Sequence, residues 1–345
     1  MPATRHFHTA PARGHARGFT LVEVLVALAI GSLILIALTI LFWRNSGNQS
    51  ELERSARQLE SARFALDALT EDLMHAGFYG EFNPNTLPLA PAYQTPDACA
   101  TATTAQGWDA TASPVQIPMP VQGIGAAAVV GCLSNRVSAT EAVTIRRADT
   151  GPAIAFAGGN ASNLYVQVAR CGLDAQRLVV AAVPSTSPES TFTLRVPDCT
   201  TVNNRIRRVS QRTYYVASCS DCAAADGIPT LKRVEAVDGD LLTVSVAEGV
   251  ENIQFEYGID IDNDGQPDSF TTSAGVTGAA PNVWNNVVAV RVHMLTRATA
   301  PVAGYVDSRT YRLGPAVTVS TPSDGFKRTL LTTTVRLVNV GMRRE

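Results

Sequence analysis

Residues 18–43 read GFTLVEVLVALAIGSLILIALTILFW, and the fold turns on this run. From Phe19 to Trp43 it holds one charge, Glu23, and as an α-helix it extends roughly 37 Å, enough to cross a hydrocarbon core of about 30 Å. Arg5, Arg13 and Arg17 precede the run and a more evenly charged sequence follows Arg44, which fits an orientation with the N-terminus in the cytoplasm. A secretory signal would carry a shorter apolar core ending in small residues; this run continues into a helical pattern instead.

Glu23 needs an explanation of its own. An acid at mid-membrane costs roughly 2.5–3.5 kcal/mol and less near an interface, so it either snorkels to water in the first turn or has a function. Its neighbours carry the second reading, because Gly18-Phe19-Thr20-Leu21-Val22-Glu23 resembles the GFTLxE signature of class III prepilin signals. The resemblance implies that a prepilin peptidase cuts between Gly18 and Phe19, methylates Phe19 as the new N-terminus and leaves the apolar helix attached. Residues 1–18, with His6, His8 and His15, then form a removable leader rather than a metal site. Glu23 lies about one turn from the new terminus, where it can meet the amine of a neighbouring subunit and favour register during assembly.

The formal charge is −2 over 345 residues, and removing the acid-free leader leaves about −5. A mildly acidic chain of this kind is a poor general nucleic-acid binder, since Lys and Arg on phosphates supply most non-specific affinity. Cys99, Cys132, Cys171, Cys199, Cys219 and Cys222 all follow the apolar segment, on the side expected outside the cytoplasm, so disulfides are the expectation. Their even count permits complete pairing without selecting a connectivity, with only a preference for sequential neighbours.

Beyond Arg44, Leu52, Ala56, Leu59, Ala62, Leu66, Leu69 and Leu73 recur in steps of three and four and predict one amphipathic stripe. One helix is expected from about Thr20 to His75, loosened at Gly31-Ser32 and Gly47 and ending at Gly77; a separate anchor with a coiled-coil linker is the alternative. Residues from Gly80 to Pro120 read as a connection with little regular structure. Strands are expected over Ala142–Arg146, Leu164–Ala169, Arg177–Val183, Phe192–Val196, Gln211–Ala217, Thr230–Val237, Leu241–Val246, Ile253–Tyr257, Val287–Leu295 and Arg328–Val340, with a hairpin turn at Asp238-Gly239. The fold class is therefore α+β, a long N-terminal α-helix packed against a mainly antiparallel β-sheet domain. Its parts are a leader (1–18), a membrane or filament-core half-helix (19–43), an amphipathic half-helix (44–77) and a β-rich globular domain (78–345).

The distal half narrows the resemblance. LKRVEAVDGD (231–240), VENIQFEYGIDIDNDGQPD (250–268), WNNVVAVRVHMLTR (284–297) and RTLLTTTVRLVNV (328–340) are similar to the PilW family of minor pilins. That resemblance implies a non-enzymatic role in type IV pilus assembly, priming the filament and supporting a tip adhesin. The implied partners are the prepilin peptidase, other minor and major pilins, the assembly platform and the inner membrane. The implied location is a single pass through that membrane with a periplasmic domain, then the pilus near its tip. A minor pseudopilin of a type II secretion system is the alternative; a calcium-dependent adhesin on a pilin anchor is a third reading.

Asp260, Asp262, Asp264, Gln266 and Asp268 have the alternating spacing of a calcium loop, Gln266 through its carbonyl. Thr271 stands where a twelfth-position glutamate would close that loop, so a solvated acidic turn is the competing reading, and no cofactor is required. Cys219-Ser220-Asp221-Cys222 has redox spacing but sits after a strand, which points to a local structural disulfide. Trp284, Tyr214 and Tyr215 read as core. His75 at a helix end and His293 within a strand suggest no catalysis, and no hydrolase, zinc-protease or nucleotide-binding motif is present.

Overall fold

The computed structural model describes residues 18–84, 92–102, 105–278, 283–315 and 317–344. The leader apart from Gly18 lies outside the described residues. The chain divides into two units, Met1–Arg54 and Ser55–Glu345.

Helix α1 runs without a break over Leu21–Met74, so neither Gly31-Ser32 nor Gly47 interrupts it. The polar side chains of the apolar half turn back on their own helix: the Ser32 hydroxyl donates to the Ala29 carbonyl (2.9 Å) and the Thr39 hydroxyl to that of Leu35 (2.7 Å). Such back-bonding keeps a hydroxyl satisfied where water is scarce. The helix ends at Met74 and the chain turns away at Gly77, whose φ of 74° suits a left-handed conformation; a Cβ there would also stand 3.1 Å from Pro120 Cγ and 3.2 Å from Val340 Cγ2.

In the second unit, five strands form an antiparallel path: β1 (Val121–Ile124), β2 (Ala142–Ala148), β3 (Arg205–Ala217), β4 (Thr230–Val237) and β5 (Asp240–Glu248), in spatial order β5-β4-β3-β2-β1. A second antiparallel sheet joins the short strand Ser269–Thr271 to β6 (Val250–Ile259), β7 (Val287–Arg297) and β8 (Arg328–Arg336). The β4–β5 turn is Asp238-Gly239, both with positive φ, the left-handed pair a two-residue hairpin needs. Gly249 carries the chain from one sheet to the other with φ of 82°, and a Cβ there would fall 2.6 Å from the Arg297 carbonyl oxygen.

The helical stripe closes this core over a shorter length than its sequence suggests. Ala65, Leu69, Leu73 and Ala76 are fully buried against Val143, Ile145, Tyr214 and Val216 of the first sheet and Phe255, Tyr257, Val290 and Met294 of the second. Ala62 is buried as well and Leu66 partly, whereas Leu52, Ala56 and Leu59 are exposed: the stripe is covered only from about its fourth position onward.

Three expectations change. Residues Phe192–Val196 form no strand, although Phe192 and Leu194 are buried. The buried Gln167 side chain stands in for a neighbouring strand, donating to the carbonyls of Phe192 (3.5 Å) and Leu194 (3.4 Å) and accepting from the Leu194 N–H (3.0 Å). The segment before Pro120 is less irregular than expected, with Ala92–Gln94 pairing parallel to Gln116–Pro118. The last strand stops at Arg336 and yields to a helical turn at Val338–Gly341.

Cys99 bonds Cys132, Cys171 bonds Cys199 and Cys219 bonds Cys222. The first two close long loops, with separations of 33 and 28 residues, and the third closes only 3. Loop-closure entropy then makes Cys171→Ser with Cys199→Ser cost about 3.6 kcal/mol and the Cys219/Cys222 pair about 1.6 kcal/mol. Urea unfolding of the two double variants checks that order.

Candidate functional site

The start of α1 is built around Glu23. Its Oε2 accepts from the Thr20 N–H and the Thr20 hydroxyl, each at 3.0 Å, while the Thr20 Oγ1 accepts from the Glu23 N–H at 3.3 Å. This reciprocal capping box satisfies two helix-start donors and fixes the carboxylate one turn from Phe19. Gly18, Phe19 and Thr20 precede the helix in non-helical backbone. Among the described residues, no atom beyond its chain neighbours lies within 4 Å of a Cβ built at Gly18, and Phe19 is 85% exposed. From Leu21 to Trp43 the mean hydropathy is 2.9 and none of the helix is buried, the surface expected of a segment that lipid or other helices cover.

Where α1 meets the sheets, one acid that pattern reading passes over holds it in place. Asp72 is buried, and its carboxylate accepts from Arg147 Nη2 (2.9 Å), Arg212 Nη1 (2.8 Å) and the Tyr214 hydroxyl (2.5 Å). Burial pushes this carboxyl up, yet Arg212, the Tyr214 hydroxyl and Arg147 together hold it below its ordinary value. Arg212 reaches on to Glu235 through Nε at 3.1 Å. The signal was present in the spacing: Leu69, Asp72, Leu73 and Ala76 share one helical face, and an acid within a buried stripe requires a cationic partner.

The aspartate-rich loop brings together Asp260, Asp262 and Asp268, with ligand oxygens all within 4.8 Å of one another; Asp264 stands outside that group. Oxygen donors of this kind suit a hard cation such as calcium. These carboxylates also accept hydrogen bonds within the protein. Asp260 is fully buried, accepting from the N–H groups of Asn263 (2.7 Å) and Gly265 (3.1 Å) and from Arg344 Nη1 (3.2 Å). Asp268 accepts from the Ile261 N–H (2.7 Å), and Asp264 accepts from the Gln266 N–H (2.7 Å). Arg344 also binds the side-chain oxygens of Asn263 and Asn286 and the Asn285 carbonyl, placing a guanidinium where a metal would need Asp260.

The remaining candidates have structural roles. Cys219–Cys222 closes a turn whose Ser220 and Asp221 N–H groups donate to Asp226. Trp284, Tyr214 and Tyr215 are buried, the first edge-on to Tyr257 at 4.8 Å. His75 Nδ1 lies 2.8 Å from the Glu71 carbonyl oxygen at the end of α1; His293 lies between Glu256 (2.8 Å) and Thr332 (3.1 Å) across two strand pairs.

Residues 213–339 match the family model described as Type IV Pilus-assembly protein W, from the second half of β3 to the turn after β8. Residues 13–39 match the prokaryotic N-terminal methylation motif. No curated protein matches the chain. Among solved structures, a type IV-like pilin from Thermus thermophilus is similar over 82% of this chain and 97% of its own, with 12% identity and a TM-score of 0.34.

Proposed function

We propose that this chain is a minor pilin of the PilW family, which takes part in type IV pilus assembly by priming the filament and supporting an adhesin at its tip. One combination carries the reading: a methylation motif at the head of a 23-residue apolar helix surface, joined in one chain to the assembly-protein domain. The first half supplies membrane anchoring and pilus association. The chain enters the inner membrane with its N-terminus in the cytoplasm and its β-domain in the periplasm, and passes into the pilus after the peptidase acts. A type II pseudopilin would share the N-terminal chemistry, and the match over 213–339 does not favour it. Photo-crosslinking in cells followed by mass spectrometry tests the proposal. Pilins as neighbours support it; neighbours drawn only from a secretion system, with normal piliation on deletion, overturn it.

Within this reading Glu23 changes partners. In the single chain its carboxylate caps Thr20, and in the filament it also receives the methylated amine of a neighbour. Glu23→Val therefore leaves processing and insertion intact, since the helix becomes more apolar, but lowers incorporation at least tenfold, about 1.4 kcal/mol. Counting the variant in sheared pili against membranes measures this; normal incorporation defeats the pairing.

Calcium has a subordinate place, as a weak competitor of Arg344 for Asp260. Binding in the range of about 10⁻⁴ to 10⁻³ M is expected for such a loop outside the cytoplasm. Calorimetry should show it tightened by Arg344→Ala and lost in Asp260→Asn with Asp264→Ala. No heat and no melting shift at millimolar calcium leaves the loop an acidic turn closed by arginine.

A further inference from the structure

Several arginines of this fold are neutralised by an acid: Arg147 and Arg212 meet Asp72, Arg195 meets Asp174, Arg328 meets Asp307 and Asp324. Arg170, Arg205 and Arg207 share one region and form no ion pair among the described residues. The strand Tyr165–Val168 pairs with the first half of β3, with Val166 opposite Arg207. Side chains two residues apart share a face, so Val166, Val168 and Arg170 stand with Arg207 and Arg205 on one side of this pair. They line a cleft of about 160 Å³.

Arg170 makes no side-chain bond among the described residues. Arg205 donates to the Ala153 carbonyl (3.3 Å), and Arg207 donates to the carbonyls of Asp149 (3.2 Å) and Gly151 while its Nε is buried with no partner. Those carbonyls and the Phe78 ring, 5.5 Å from the Arg207 guanidinium, orient the arginines without neutralising them. Glu81 is the single acid of the lining, and it makes no ion pair among the described residues. Like charges gathered on one sheet face repel, and with Arg205 and Arg207 oriented by neutral carbonyls the cleft keeps an excess of two positive charges that is complementary to an anion.

We propose that this cleft docks the carboxylate of an acidic side chain from a neighbouring pilus subunit, an inference that rests on the pilus reading above. The volume admits one carboxylate and its methylene stem and falls below the roughly 300 Å³ at which pockets for larger ligands begin. Val166 and Val168 provide an apolar floor for the stem. Guanidinium forks pair with carboxylates in a bidentate manner and give up water more readily than ammonium groups do, which suits a contact that is covered when subunits meet. The cleft lies outside residues 213–339, so it belongs to the part of the chain that the family model leaves unmatched.

The test titrates the full chain in detergent with a fluorescent acetylated tri-glutamate peptide at low salt, with tri-glutamine and inorganic phosphate as separate arms. Saturable binding of tri-glutamate alone is expected, weakened about tenfold by Arg170→Gln, strengthened several-fold by Glu81→Gln and lost in 0.5 M salt. Arg170 carries no internal side-chain bond, so Arg170→Gln should melt with the wild type, which separates lost binding from lost folding. The proposal is overturned by wild type that does not bind, by equal binding of tri-glutamine, by binding of phosphate only, or by an Arg170→Gln chain that binds unchanged. Failure of the pilus reading would appear separately, as a wild-type chain that crosslinks to no pilin in cells, and the titration does not depend on that outcome.

Discussion

Gly18→Val leaves the chain uncut, with Arg5, Arg13 and Arg17 still ahead of the apolar helix and Phe19 unmethylated. A peptidase acting on the bond between Gly18 and Phe19 must bring its catalytic groups against backbone, and a β-branched side chain there both crowds that approach and restricts φ and ψ. A displacement of about 1 Å at the reacting bond costs on the order of a hundredfold in rate, enough to block processing over the lifetime of the chain in the membrane. The substitution has no other structural consequence to confuse the result. Among the described residues a Cβ at position 18 meets nothing beyond its chain neighbours within 4 Å, and α1 begins three residues later, so insertion and the β-domain should be unchanged. Intact mass of the membrane-extracted protein gives the answer directly; normal cleavage of Gly18→Val, or a cut after Trp43, refutes the assignment.

The same contrast between local and distant chemistry governs how much the sequence reveals. Helix α1 was legible because its evidence is local: an unbroken apolar run, a stripe of Leu and Ala in steps of three and four, and a glycine at the end. The strand Thr230–Val237 and its Asp238-Gly239 turn were legible for the same reason. Phe192–Val196 was misread because alternation reports burial, not hydrogen-bonded pairing. Gln167, some 25 residues away, buries that segment without a neighbouring strand, and no period in the sequence marks such a substitution.

At the candidate sites the division is similar. Gly18, Phe19 and Glu23 stand together in one motif, and the structure places them at an exposed helix start. The spacing of the aspartates showed a cluster but not its partner, because Arg344 arrives from 84 positions further along the chain. The unpaired arginines were hidden for a related reason: Arg170 and Arg207 are brought together only by the pairing of Tyr165–Val168 with β3. Charge in a sequence counts residues, whereas charge in a fold depends on which acids fail to arrive.

Asp72→Ala should lower the stability of the β-domain by about 3–5 kcal/mol, a large share of the roughly 5–15 kcal/mol by which such domains are stable. The loss does not come from the missing carboxylate alone. Arg147 and Arg212 remain, with side-chain exposures of 11% and 20%, facing each other across the space the anion filled, while the Tyr214 hydroxyl loses its acceptor. Substituting Leu for Asp72 together with Met for Arg147, with Arg212 left on Glu235, should recover part of the loss, because removing both partners of a buried ion pair costs less than orphaning one. Acid provides an independent check. The folded Asp72 carboxyl titrates below its ordinary value of 3.8, so its contribution is present above that pH and is lost as pH falls through the lower folded value. Glu235, bound to Arg212, is the other acid facing this group, and it is retained in both chains being compared. The gap in urea midpoint between wild type and Asp72→Asn should therefore be widest near pH 7 and narrow as pH falls below about 4. A gap that stays constant over that range would mean that Asp72 holds the helix by hydrogen bonding alone, without its charge.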